Sequence, residues 1–155
     1  IRAIDLVRTD ERVFCVGRLD ADTTGLIIIT NDSELTNKLT HPRYELPRTY
    51  VVRVEGQISG AAAEKLKKGA WLAEGKARHA AVKILKRDCK ESLIEVTLRQ
   101  GLNRQIRRML LAAGLRVKAV KRTKIGSLTA EGLGVGKFRK LSEAEVRSLR
   151  RGAKD

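Results

Sequence analysis

Two adjoining stretches constrain the fold more than any others. In ESLIEVTLRQG, residues 91–101, Leu93, Glu95, Thr97 and Arg99 alternate with Ile94, Val96 and Leu98, the two-residue period of a strand with one buried and one wetted face. Directly afterwards Ile106, Met109, Leu110 and Ala113 recur at helical spacing, with Asn103 placed to cap the helix and Gly114 to end it. A chain that changes period so abruptly packs a helix against a sheet, and with the strands and helices that precede it the pattern is α+β.

The remaining pattern agrees. VFCVG (13–17) and GLIIIT (25–30) read as β-branched strands joined by an acid-bearing connection. SELTNKLTHP reads as a short helix capped by Asp32 or Ser33, with Leu35 and Leu39 one turn apart and Pro42 ending it. In RTYVVRVEG, Tyr50, Val52 and Val54 share a strand face, after which Ser59 caps the helix AAAEKLKK and Gly69 stops it. ARHAAVKILKRD pairs with residues 91–101 as a hairpin. LRVKAVKRT is one more strand, GSLTAEGLGVGK a Gly-rich loop, and Ser142 to Glu145 a capping box opening a last helix. Without a repeat or a low-complexity linker, residues 1–155 read as one domain.

Charge narrows the partner. Lys and Arg number 33 against 18 Asp and Glu, a net +15. Residues 1–82 hold 13 basic and 11 acidic residues, net +2, whereas residues 83–155 hold 20 and 7, net +13. Such an excess points to a polyanion, nucleic acid before membrane, because no amphipathic, lipidation, leader or bilayer-spanning signal accompanies it. Cys15, Cys89, His41 and His79 stand apart without metal-ligand spacing, so neither metal nor disulfide is expected, in keeping with a reducing compartment. Ile1 is not an initiator Met, and the chain reads as a piece of a longer one.

The connection VGRLDADTTGL poses the chemical question. Asp20, Asp22, Thr24 and Gly25 match part of a calcium loop, yet Asn31 stands where that loop needs a bidentate Glu and the flanks are strands. Asp22 and Thr23 are adequately explained as turn formers. Asp20 is not, because a cationic RNA-binding surface gains nothing from a carboxylate where phosphates approach. An acid there suggests catalysis.

GRLDADTTGL with the following TND, then RTYVVRV, GLNRQIRRM, KRTKIG and GKFRKLSEAEV, resemble in order the RsuA/RluB branch of the ribosomal-RNA pseudouridine synthases, from about Val13 to Val146. The resemblance implies a mixed, mostly antiparallel sheet with flanking helices and a central active-site cleft. It implies isomerisation of one uridine in ribosomal RNA, the large-subunit RNA before the small, with no cofactor and no metal. It makes Asp20 the catalytic carboxylate, Arg107 the guanidinium that keeps Asp20 charged, and Tyr50 the ring under the target base. Ile125 would pack on the base from the other side, and Arg18, Arg104, Arg108, Lys121 and Arg122 would bind RNA. From Arg99 to Lys124 there are nine basic residues and no acid, which suits a strand of RNA. Members of the family usually carry a Lys-Pro-containing strand ahead of GRLD, often after an S4 domain; neither is found in this chain, which reads as N-terminally truncated or as lacking that structural strand. The expected setting is a monomer in the bacterial cytoplasm or in an organelle with bacterial-type ribosomes.

A non-catalytic RNA-binding or ribosome-assembly module is the rival reading. Asp20, Tyr50 and Arg107 together argue against it, since a pure binder has no need of that trio.

Overall fold

The alternation seen in the sequence resolves into a six-stranded sheet with helices packed against it. The computed structural model describes residues 1–44, 46–69, 71–72, 75–76, 80–99 and 104–152. In chain order the strands are β1 (Phe14–Val16), β2 (Thr23–Gly25), β3 (Ile28–Thr30), β4 (Arg48–Glu55), β5 (Trp71–Leu72), β6 (Gly75–Lys76), β7 (Ala81–Arg87), β8 (Glu91–Leu98), β9 (Val117–Ile125) and β10 (Leu128–Thr129). The helices are α1 (Ser33–Thr40), α2 (Gly60–Lys68), α3 (Gln105–Ala112) and α4 (Glu143–Gly152), with single 3-10 turns at Ala3–Leu6 and Pro42–Tyr44.

The main sheet runs β10–β9–β4–β8–β7, antiparallel throughout, and β2 joins β9 as its one parallel strand, on the side away from β4 that β10 also occupies. The expected hairpin of β7 with β8 forms, with Ile84 opposite Ile94. The fold is therefore the mixed, mostly antiparallel α+β arrangement that the resemblance implied. GLIIIT, expected as one strand, divides in two. Its start belongs to β2 on the main sheet, while Ile28–Thr30 turns away to pair with β1 in a separate ribbon. The loop expected at GSLTAEGLGVGK contains β10, which folds back on the end of β9.

Two clusters form the core. In the first, Val52 and Val54 of β4, Ile94, Val96 and Leu98 of β8 and Val120 of β9 are covered by Ala62, Ala63 and Leu66 of α2 and by Ile106, Met109 and Leu110 of α3. The second gathers Val16, Ile28, Leu35, Leu39, Leu46, Ile125, Leu128 and Leu149 around α1 and α4. Strand β9 supplies both because of an irregularity in its pairing. Thr49 lies opposite Lys124 but Tyr50 lies opposite Arg122, so Thr123 is an extra residue on β9. That bulge resets the alternation and lets Val120, Arg122 and Ile125 all turn inward despite the odd spacing of the last.

Local capping follows the sequence closely. Asp32 accepts from the Leu35 amide at 3.0 Å and also takes the Arg150 guanidinium at 2.7 Å, tying the start of α1 to α4. At α4 the Glu145 amide donates to Ser142 Oγ at 3.1 Å and the Ser142 amide donates back to Glu145 Oε1 at 2.9 Å, completing the capping box. Arg139 adds a fork to the same carboxylate at 2.9 and 2.7 Å. The Arg139 bonds first, and the Ser142 amide second, lower the Glu145 carboxyl from 4.5 to about 2. In the unfolded chain that carboxyl takes up its proton first as acid is added. Its stabilisation is thus complete above about pH 4.5 and is lost as pH falls toward 2.

Two stability measurements check this account. Gly25 has φ +113, and a Cβ there would stand 2.1 Å from the carbonyl oxygen of Arg122, whereas Gly132, at φ +76, has open space around it. Gly25→Ala should lower stability by about 3 kcal/mol or more in urea unfolding, and Gly132→Ala by only the left-handed backbone term of about 1 kcal/mol; equal losses would refute the close approach. Glu145→Gln should flatten the acid limb of the melting temperature between pH 4.5 and 2, the interval spanned by its ordinary and folded values. An unchanged limb would place the acid sensitivity elsewhere.

Candidate active site

The acidic turn lies between β1 and β2, where the Thr23 amide donates to the Asp20 carbonyl at 2.9 Å and closes the reversal. Strand β2 then holds the turn to the sheet through its register with β9, Thr23 opposite Val120 and Gly25 opposite Arg122. Beyond it the Leu26 amide donates to the Arg122 carbonyl at 2.9 Å, and Arg122 Nε donates back to the Leu26 carbonyl at 2.9 Å. The Asp20 side chain is 34% exposed and that of Asp22 is 51% exposed, so solvent and a ligand reach both.

Helix α3 delivers two arginines to this turn. Arg104 sets its fork on Asp22, with Nη1 3.3 Å from Oδ1 and Nη2 3.2 Å from Oδ2, and its Nη1 also stands 3.6 Å from Asp20 Oδ2. Arg107, one turn into the helix, donates from Nη2 to the Asp22 carbonyl at 2.9 Å and brings Nε to 3.3 Å from Asp22 Oδ1. The Arg107–Asp20 pair expected from the sequence is therefore replaced by Arg107–Asp22. Arg104, expected only as an RNA-backbone contact, is the cation beside Asp20. The reason is where the helix begins: Arg104 sits at its N-terminal boundary, over both carboxylates, while Arg107 meets the turn from the Asp22 side.

Arg104 is also the only non-glycine residue with positive φ among the described residues, at φ 49 and ψ 32. Side chains rarely tolerate that conformation, and it persists here where two carboxylates hold the guanidinium. Asn103, expected to cap this helix, lies outside the described residues. The bond from Arg104, and after it the charge of Arg107, hold the Asp22 carboxyl below its ordinary value against the opposing effect of desolvation. Asp22 is thus the residue that sequence reasoning missed. Its partners lie 82 and 85 positions away, and no local signal reports such a pairing.

The other expected site residues divide into accessible and buried. Tyr50 is half-buried on β4, packed against the first core cluster and opposite Arg122 in register. Arg18 and Lys121 are exposed, and Arg108 is half-buried on α3. Arg122 is only 4% exposed, with Nε bonded to Leu26, so it joins β2 to β9 and offers RNA no surface. Ile125 is 5% exposed within the second cluster, because the bulge at Thr123 turns it inward; it is a core residue with no face for a base. Arg48, bonded through Nη2 to the Leu39 carbonyl at 2.9 Å, stands near Arg122, and both burial and that neighbouring charge lower its pKa.

Among the described residues no group of three or more His, Cys, Asp or Glu side chains could hold a metal, and no helix is long and apolar enough to cross a membrane. Cys15 and Cys89 are free thiols. What the site offers chemically is a reachable carboxylate with guanidinium counter-charges at the edge of a strongly basic chain.

Comparison with known proteins gives this site a context. The family profile described as RNA pseudouridylate synthase matches residues 2–112. The chain is 44% identical over 142 residues to a Bacillus subtilis (strain 168) protein named ribosomal large subunit pseudouridine synthase B, covering 90% of this chain and 58% of that one. It is 41% identical over 139 residues to an uncharacterized RNA pseudouridine synthase of Aquifex aeolicus (strain VF5), covering 90% and 56%. A crystal structure described as a pseudouridylate synthase superposes with a TM-score of 0.87 at 26% identity, over 95% of this chain and 64% of that one. The chain thus spans little more than half the length of these two relatives.

The arginine clamp predicts a titration. Followed by carboxyl-carbon NMR, Asp22 should titrate below the ordinary 3.8, and Arg104→Ala should move it upward, because the bond that is its largest cause is gone. An Asp22 midpoint that ignores Arg104→Ala would mean that the clamp does not persist in solution.

Proposed function

The chain belongs to the RNA pseudouridylate synthase family, and we propose that it isomerises one uridine of ribosomal RNA, in the large subunit, to pseudouridine, with residues 1–155 as the catalytic domain. The observation that carries this reading is Asp20, a third exposed on a turn fastened to the sheet, with the Arg104 guanidinium 3.6 Å away. The printed name of the Bacillus subtilis relative supports the choice of large-subunit RNA.

The reaction breaks the N1–C1' bond, turns the uracil, joins C5 to C1' and releases the C5 hydrogen as a proton. An ionised carboxylate serves it in one of two ways, by attacking C1' or by removing a proton from C2'. Asp20 takes either role only if the uridine leaves its stack, which costs a few kcal/mol in a duplex and less in a loop. The net +15 supplies binding energy through phosphate contacts, and exposed Arg18 and Lys121 are suited to make them. Tyr50 offers the extruded base a ring, and few others are available, the chain holding only five aromatic residues. In the resting site Arg104 and Arg107 are engaged by Asp22, which fixes the orientation of both before RNA arrives.

The test is tritium release from 5-tritiated uridine in large-subunit ribosomal RNA. Wild type should release it, and Asp20→Asn should release none while binding the same RNA within about threefold, since the lost charge faces chemistry and not phosphate. Binding without release by wild type would refute the activity and leave an RNA-binding module. Release by small-subunit RNA alone would correct the substrate.

A further inference from the structure

Leu111 is 73% exposed on α3, a helix that otherwise turns arginines outward. It continues the stripe begun by Arg104, Arg107 and Arg108, and beside it lies a groove of about 370 Å³ between α3 and the start of β9. Leu111, Leu115 and Val117 line its apolar part; Arg107, Arg116 and Lys118 supply cations, and Glu55 is the single acid. Arg107 is shared with the acidic turn, where it holds Asp22, so one side chain separates this groove from the candidate active site. The acids that meet the outer cations do so loosely: Arg116 is 4.0 Å from Glu55 with both side chains more than half exposed, and Lys118 is 3.5 Å from Glu91. Exposed pairs of this kind are worth little and yield readily to a phosphate.

A shallow, open apolar patch rimmed by Arg107 of α3, by Arg116 and by Lys118 of β9 suits an unpaired nucleotide: the base lies on aliphatic side chains and the phosphate meets the rim. A protein segment would gain from the floor but would need acidic residues to match three cations, and a chain of net +15 already selects for polyanions. We propose that this groove receives an extruded nucleotide adjacent in sequence to the target uridine, which makes it a specificity subsite for the RNA. The proposal rests on the RNA-modifying reading above for its substrate, though not on the identity of the catalytic group.

The experiment pairs protein and RNA changes in the protein at its natural length. Leu111→Glu introduces a carboxylate at the floor of an exposed position and should raise KM for tritium release from large-subunit ribosomal RNA about tenfold, an effect in the range of one lost base contact. kcat should stay within about twofold, and Leu111→Met should restore KM. Removing the base, as an abasic site, from the nucleotide on one side of the target should raise wild-type KM similarly and add nothing to Leu111→Glu. Unchanged KM in Leu111→Glu, or effects that multiply instead of saturating, would overturn the subsite. Equilibrium binding of the same fluorescently labelled RNA fragments is read alongside. A wild type that releases no tritium but binds RNA with this Leu111 dependence refutes the activity and retains the groove; release with no Leu111 dependence in either readout does the reverse.

Discussion

Everything in the site hangs from the contact of Gly25 with the backbone of Arg122. A methyl group there would fall 2.1 Å from the Arg122 carbonyl oxygen, and only glycine permits the approach at φ +113. Through it β2 becomes the one parallel strand of the main sheet, and the turn bearing Asp20 and Asp22 is fastened to β9 a few residues before. Arg122 reinforces the join from its side chain, bonding the Leu26 carbonyl while its own carbonyl takes the Leu26 amide. Two hydrogen bonds and a steric allowance thus hold the acidic turn against β9, which pairs with three strands among the described residues.

The electrostatics of the turn have a simple logic. Two carboxylates two residues apart repel, and a basic chain can use them together only if cations stand between them and their surroundings. Arg104 touches both, and Arg107 secures Asp22 by side chain and main chain. Asp22 thereby absorbs the arginines' strongest bonds and leaves Asp20 with a looser, 3.6 Å neighbour and a third of its side chain exposed. A carboxylate with only that looser neighbour can approach a ligand without first breaking a tight ion pair.

The bulge at Thr123 shows how local irregularity shapes function. It brings Val120, Arg122 and Ile125 to the same side and lets β9 feed both core clusters. The same device removes Arg122 and Ile125 from the solvent-exposed surface. In the sequence both look like site residues, one as a base-flanking aliphatic and one as a cation in a basic run, and nothing in KRTKIG marks the extra residue.

Class and most elements were legible in the residue pattern, because alternation, helical spacing and caps depend on near neighbours: Asp32, Ser59 and the Ser142–Glu145 box all do what their residue types dictate. It also marked Asp20 as chemically anomalous and, through the order of its motifs, the family, in agreement with the profile match over residues 2–112. Tertiary structure alone decided which arginine meets which carboxylate, that GLIIIT divides between two sheets, and which side of β9 each residue faces. Those outcomes depend on backbone register and on side chains more than 80 positions apart, whose geometry no local period encodes.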